Sequence, residues 1–218
     1  MTYGPNRILK LPLTGSLVKI ETIQSGNTFG ACFWTDGKCE APCLPDLPWL
    51  QRHPKSNELF WTDECEKISE EDNPEDDFFE ELLSEETAVK QPGEYADTPY
   101  AVKPSVDDYN RALATGLASS NEKERHIRMR LWWAANDPIR RGKASTLSDR
   151  DNLLQLLELL NDSDPEQRLM AAEARRELGN FDRASMLLQF NFPDRLNHTA
   201  NFIKKLNEQK DVTVRQVK

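Results

Sequence analysis

The sequence predicts an α+β chain, with a small β-rich N-terminal module joined by an acidic connector to an α-helical C-terminal half. Three observations predict it. Residues 1 to 62 combine Gly, Pro, Thr and aromatic residues with short strand-like runs. Between Asp63 and Glu86 there are 13 acidic residues and one basic residue, Lys67. From Ser105 onward, apolar residues recur at helical spacing between capping signals. The expected segments are therefore 1–62, 63–104, 105–210 and a tail, 211–218.

In the first segment, Ser16 to Ile23 reads S-L-V-K-I-E-T-I, which suits a half-buried strand. Ser25-Gly26-Asn27 is a turn signal, so a hairpin with Thr28 to Thr35 is expected. Asp36-Gly37 is a second turn of the kind hairpins favour. Pro42, Pro45, Pro48 and Pro54 make the stretch between them loop, because proline interrupts a ladder. Leu59-Phe60-Trp61 offers a last short strand. In the connector, Asn73 and Pro74 can start a helix that places Phe78, Phe79, Leu82 and Leu83 on one face. Such a short helix needs a surface to pack on. From Thr87 to Pro104 the chain reads as an extended linker.

The helical half carries its own punctuation. Cap-like pairs occur at Ser105 with Asp108, Asn121 with Glu124, and Ser148 with Asp151. Asp164-Pro165-Glu166-Gln167 combines a cap, a first-position proline and a glutamine three residues on, and Gly179 is a terminator. Helices are expected at about 105–118, 121–135, 148–161, 165–178, 181–190 and 194–208. Apolar stripes at Leu153, Leu156, Leu157 and Leu160, and at Leu169, Ala172 and Leu178, point to a helical bundle or a short repeat stack. Glu177-Leu178-Gly179-Asn180-Phe181-Asp182-Arg183-Ala184 resembles the turn inside a tetratricopeptide repeat, where glycine ends one helix and a small residue lets the next approach. One such unit fits a repeat stack and a plain bundle alike.

Two short stretches share an outline in the N-terminal module. Leu11-Pro12-Leu13-Thr14-Gly15 and His53-Pro54-Lys55-Ser56-Asn57 each resemble the knuckle of a zinc ribbon, a tight turn that presents two thiolates to tetrahedral Zn²⁺. The intervening Asn27 to Lys38, and the ending Leu59-Phe60-Trp61, resemble bacterial proteins that join an N-terminal zinc ribbon to helices. The resemblance implies a degenerate ribbon here, because Leu11, Thr14 and Ser56 stand at three ligand positions and only His53 could bind metal. Packing of Phe29, Phe33, Trp34, Trp49, Phe60 and Trp61 is expected to replace the metal, each buried ring contributing about 2–3 kcal/mol. A relocated zinc site at Cys39, Cys43, Cys65 and His53 has suitable ligand chemistry but an unfamiliar spacing. Ordinary buried thiols are the expectation, so no cofactor is assigned.

Composition narrows the function. No apolar run reaches membrane-spanning length, and Met1 to Leu13 lacks the features of a secretory signal, so a reduced, cytoplasmic setting is expected. The net charge of −9 is local, because residues outside 63–86 sum to +3. Lys123 to Lys143 holds seven basic residues around Trp132-Trp133. Arg125, Arg128, Arg140 and Arg141 could form a basic surface for single-stranded nucleic acid. An amphipathic helix that buries one tryptophan explains the same residues, and the carboxylates oppose a polyanion partner unless the acidic arm itself lies against this face. His126 and His198 read as exposed or partly exposed. No nucleophile, phosphate-loop or metalloenzyme pattern is present, so no catalytic residue is assigned. The expected function is a non-catalytic adaptor or inhibitor, one form being an immunity protein. It would meet a basic protein partner through Phe78, Phe79, Glu80, Glu81, Leu82 and Leu83.

Overall fold

A computed structural model describes residues 1–71, 94–143 and 150–218. The chain divides into two compact units, residues 1–30 with 41–108 and residues 31–40 with 109–218. Among the described residues the content is mixed: small antiparallel sheets come first and six helices follow. No helix there is long and apolar enough to cross a membrane. The helix expected after Asn73, with Phe78 to Leu83, and the cap at Ser148 lie outside the described residues.

The first unit is built on a three-stranded sheet. Strands β1 (Thr2–Lys10) and β2 (Leu17–Ser25) form a hairpin in the register Leu9 to Val18. Strand β7 (Glu66–Glu71) adds to the other edge of β1. The hairpin expected between residues 16–23 and 28–35 does not form. The β1 segment supplies the apolar partners Ile8 and Leu9, whereas Thr28, Phe29 and Gly30 are exposed. Pro5 is tolerated inside β1 because the ladder slips between Gly4 and Arg7. The acidic connector also begins later than its composition implies. In β7, Glu66 meets Lys10 and Glu70 meets Arg7, while Glu71 meets the buried Lys19 at 2.8 Å. Cross-strand charge pairing makes an acidic run a sheet edge.

A second small sheet pairs β5 (Leu50–Arg52) with β6 (Leu59–Trp61). The proline-rich stretch is therefore not all loop, since three residues between Pro48 and Pro54 suffice for a strand. The supposed linker ends as a staple. Lys19 N donates to Pro99 O and Ala101 N to Lys19 O, while Arg52 and Val102 exchange both backbone bonds. Residues 99–102 thus bind the edges of both sheets. Leu9, Leu11, Val18 and Phe60 form the core, with Ile20, Cys65 and Ala101 against it. Trp61 is also buried, but Phe29 is 88 % exposed and Trp49 half-exposed. Of the aromatic cluster expected to replace a metal, Phe60 and Trp61 are buried in this unit, beside aliphatic side chains from β1, β2 and the turn between them.

In the second unit, helix α1 (Val106–Ala114) straddles the division. It is followed by α2 (Asn121–Arg140), α3 (Arg150–Glu158), α4 (Pro165–Glu177), α5 (Phe181–Leu188) and α6 (Asp194–Glu208). The signals at Ser105, Asp164 and Gly179 act as read. Ser105 and Asp108 exchange hydrogen bonds. Asp164 accepts from Glu166 N and Gln167 N. Gly179, at φ 76°, donates to Arg176 O while Asn180 N reaches Arg175 O, which closes the end of α4. The cap of α2 is Ser120, which accepts from Lys123 N, one residue before the expected position.

Helix α2 also runs past its expected end, through Pro138. A proline there removes one backbone donor and crowds the preceding turn. In the same turns Arg140 donates to Trp133 O at 2.7 Å. Helix α4 lies between two cores. Leu169 and Ala172 face Leu188, Ala200 and Ile203, while Ala174 joins Trp132, Leu153 and Leu156 on the other side. Leu178 belongs to this second face rather than to one stripe with Leu169.

Two substitutions separate packing from exposure in the first unit. Phe60→Ala is expected to cost about 3–5 kcal/mol, enough to unfold a unit this small, whereas Phe29→Ala leaves stability unchanged. Urea unfolding followed by near-ultraviolet circular dichroism checks both.

Candidate functional site

The two knuckle-like turns fold identically in hydrogen-bond terms. Leu11 N donates to Ser16 O and Gly15 N to Leu11 O; His53 N donates to Glu58 O and Asn57 N to His53 O. Gly15 and Asn57 both take positive φ, 68° and 58°. The hydroxyl in each turn accepts the N–H two residues on, Thr14 from Ser16 and Ser56 from Glu58. His53 Nδ1 accepts from Ser56 N at 3.0 Å, so that ring nitrogen faces into the turn. A carboxylate joins the turns: Glu58 accepts from Thr14 Oγ1 at 2.6 Å and from Leu13 N at 3.2 Å.

Two of the cysteines, Cys32 and Cys39, lie on the paired strands Cys32–Phe33 and Cys39–Glu40. Cys32 and Cys39 belong to the helical unit, and Cys43, Cys65 and His53 to the other. All four thiols are unpaired, and no three of His, Cys, Asp or Glu group to receive a metal ion among the described residues. Burial, with the carboxylates of Glu58, Glu64 and Asp63 nearby, pushes the Cys65 thiol up to about 11. Its Sγ–H donates to Trp61 O. A thiol held protonated is a poor metal ligand and a poor nucleophile.

The helical unit has an apolar groove of about 640 Å³. One wall is the short hairpin of β3 (Cys32–Phe33) and β4 (Cys39–Glu40), which presents Phe33 and Trp34. Leu169 and Met170 of α4 and Leu196 of α6 complete the apolar surface, with Val217 from the tail. Arg195 pairs with Glu166 on the rim, and His198 Nε2 lies 2.9 Å from Lys218 O. The tail is part of the construction: Thr35 N donates to Arg215 O and Val217 N to Phe33 O.

The turn between β3 and β4 follows from Asp36-Gly37. Gly37 N donates to Trp34 O, Trp34 N to Lys38 O, and Gly37 takes φ 79°, so the turn needs glycine. A Cβ on Gly37 would also meet Met170 at 2.9 Å. Asp36 is completely buried, as is nearly all of the Arg140 side chain with which it pairs. Asp36 also accepts from Asn136 Nδ2 at 3.0 Å, and its carbonyl accepts from Trp133 Nε1 at 2.9 Å. Arg140 further holds Asp137 at 2.7 Å and lies over the Trp34 ring at 5.3 Å.

A second buried pair lies on α4. Arg176 grips Glu173 with both arms of its guanidinium, at 2.6 and 2.8 Å, both side chains being fully buried. The same guanidinium donates to Asp211 O and Thr213 O and so fixes the tail. Glu177 accepts from Trp132 Nε1 at 2.8 Å and from Asn136 Nδ2. Burial first, then the neighbouring Glu173 and Asp36, hold its carboxyl well above the usual range.

These facts reassign several expected residues. Arg128 and Arg140 are not surface cations: Arg128 is buried against Glu124 and Asn152, and Arg140 against Asp36. Arg125 donates to Gln167, and Arg141 is exposed. Trp132 is the buried tryptophan and Trp133 the half-buried one. His126, expected at the surface, is half-buried, and burial lowers its pKa to about 4. Phe78, Phe79, Glu80, Glu81, Leu82 and Leu83 lie outside the described residues. Sequence reading missed Asp36 as an anchor and Glu173, Arg176 and Glu177 as an interior network. Charged residues three and four apart among the buried alanines of α4 were the available signal.

No family model matches the chain, and no curated protein or solved structure is significantly similar to it.

Arg140→Ala strands the Asp36 carboxylate in the interior and is expected to cost the helical unit about 3–5 kcal/mol. Arg140→Lys is expected to recover only part of this, because an ammonium cannot serve Asp36, Asp137 and Trp133 O in one plane. Chemical denaturation monitored by tryptophan fluorescence measures both.

Proposed function

We propose that this chain is a non-catalytic adaptor or inhibitor, an immunity protein being one form of it, that binds a basic protein partner. The observation that carries this reading is charge segregation. With Glu66, Glu70 and Glu71 paired inside the β7 edge, the unbalanced acidity narrows to residues 72–86, which hold eight carboxylates and no cation. Phe78, Phe79, Leu82 and Leu83 lie within that stretch, an apolar contact set within a field that attracts cations. The groove of the helical unit supplies a second surface for the same partner. Ser56 Oγ lies 3.0 Å from His53 Nδ1 but also accepts from Glu58 N inside its own turn, a structural use of the hydroxyl that favours binding over chemistry.

We also infer that the N-terminal unit is a zinc ribbon whose turns are joined by Glu58 instead of a metal. Support comes from the matched hydrogen bonds of the two turns and from the 2.6 Å bond between Thr14 and Glu58. The reading in which Cys39, Cys43, Cys65 and His53 hold zinc gains no support, since no three His, Cys, Asp or Glu group for a metal ion among the described residues.

Two experiments test these readings. Affinity capture from the native host, with wild type and a Phe78, Phe79, Leu82, Leu83→Ala variant side by side, is expected to yield a basic protein only with wild type. Calorimetry on that purified partner should then show affinity falling steeply with salt. Equal binding by the variant overturns the contact assignment. For the ribbon, Glu58→Gln is expected to cost the first unit about 1.5–3 kcal/mol, and chelator treatment of wild type nothing. One zinc per chain by elemental analysis would overturn it.

A further inference from the structure

We propose that Glu177 carries a proton in the folded helical unit, and that losing it loosens the β3–β4 hairpin, so that the aromatic wall of the groove responds to pH. The argument is a count of charges in a confined space. Asp36 is matched by Arg140, and Glu173 by Arg176, each pair neutral as a whole. Glu177 is a third carboxylate in the same interior, and the hydrogen bonds it receives come from two neutral donors, the Trp132 indole and the Asn136 amide.

Among the described residues, the cations of the hairpin, α2 and the tail are already engaged with other carboxylates. From the hairpin, Lys38 turns to Asp137 of α2 at 2.5 Å and to Glu40. From the tail, Asp211 pairs with Arg215 at 2.8 Å. On α4 itself, Glu173 and Arg176 are engaged with each other. An ionised Glu177, itself half-buried, is therefore surplus negative charge beside the fully buried Asp36 and Glu173, where screening by water is weak. A proton removes the surplus. The upward displacement of its carboxyl by burial and by these two neighbours agrees with that count.

The hairpin is affected because Asn136 Nδ2 is shared, lying 3.0 Å from Asp36 and 3.2 Å from Glu177. When Glu177 ionises, it draws on the amide that helps neutralise Asp36 and repels Asp36 directly. Asp36 is the residue that seats the hairpin, and Phe33 and Trp34 of that hairpin form the groove wall. A carboxyl raised on folding means that the folded state binds more protons than the unfolded one. Stability then falls as pH climbs from the unfolded carboxylate value to the folded one, the reverse of a salt-bridged acid.

The test uses the full chain. Cys32 and Cys39 flank the hairpin turn, so N-ethylmaleimide labelling at these two positions, mapped by mass spectrometry, reports its release. Wild type is compared with Glu177→Gln, which keeps the shape and cannot ionise, at steps from about pH 5.5 to about pH 9. The expected ratio of labelling, wild type over variant, is lowest at the acidic end, climbs by up to about tenfold per pH unit until the folded value is reached, and levels off above it. A flat ratio overturns the proposal. Should the variant fail to fold, carboxyl ¹³C NMR of wild type decides: a Glu177 inflection in the ordinary carboxylate range overturns the proposal, and one well above it supports it. Neither readout involves a ligand, so the groove can fail as a contact surface without touching this result.

Discussion

An ionised carboxylate shut away from water has to be met by a cation, and the helical unit is arranged around one such meeting, Asp36 with Arg140. The two residues are 104 positions apart, and neither is exposed. Around them the other features fall into place. Arg140 also reaches back within its own helix to Trp133 O, so the last turns of α2, Pro138 included, become part of the clamp. The Asp36 backbone engages Trp133, and its carboxylate engages Asn136. A two-stranded hairpin of four ladder residues has no stability of its own. It persists because a buried ion pair fixes its turn.

The same unit closes on itself through a ring of contacts. Helix α4 grips the tail by way of Arg176, the tail pairs with the hairpin at Phe33 and Thr35, and the hairpin returns to α2 at Arg140 and Asn136. Trp132 and Asn136 of α2 then reach Glu177 on α4. Each member holds two neighbours, which makes the groove wall more rigid than its short strands suggest. Buried ion pairs contribute specificity more than net stability, since their desolvation offsets most of their attraction. Here they choose which surface the hairpin packs on.

Much of the helical half was legible in the sequence because its information is local. Asp164 with Pro165, and Gly179 with its Schellman bonds, are contained within a few residues, and the helix ends fall close to where they were read. The two knuckle turns were equally visible, from a proline and a glycine or asparagine at fixed spacing. What stayed hidden was partnership. Nothing near Leu17 to Ser25 says that it pairs with the segment before it rather than after it. The acidity of β7 masked a strand, because its neutralising partners Arg7, Lys10 and Lys19 lie some sixty residues away. Asp36-Gly37 was read correctly as a turn, yet its burial depends on a helix a hundred residues on. The aromatic residues misled for the opposite reason: Phe29 and Trp49 look like core by type, and the sheet simply does not reach them.

The tail's place in the groove wall has a consequence for how the chain is made. Thr35 bonds to Arg215 across 180 positions, and Arg176 captures the carbonyls of Asp211 and Thr213. During synthesis the N-terminal hairpin emerges long before any of these residues exist. The first unit can fold while the ribosome is still working, but the hairpin inside its span must wait, its aspartate hydrated and its aromatics uncovered. Loop closure over that distance is slow relative to helix formation. Seating of the hairpin therefore has to wait for the translation of partners 180 positions further along the chain.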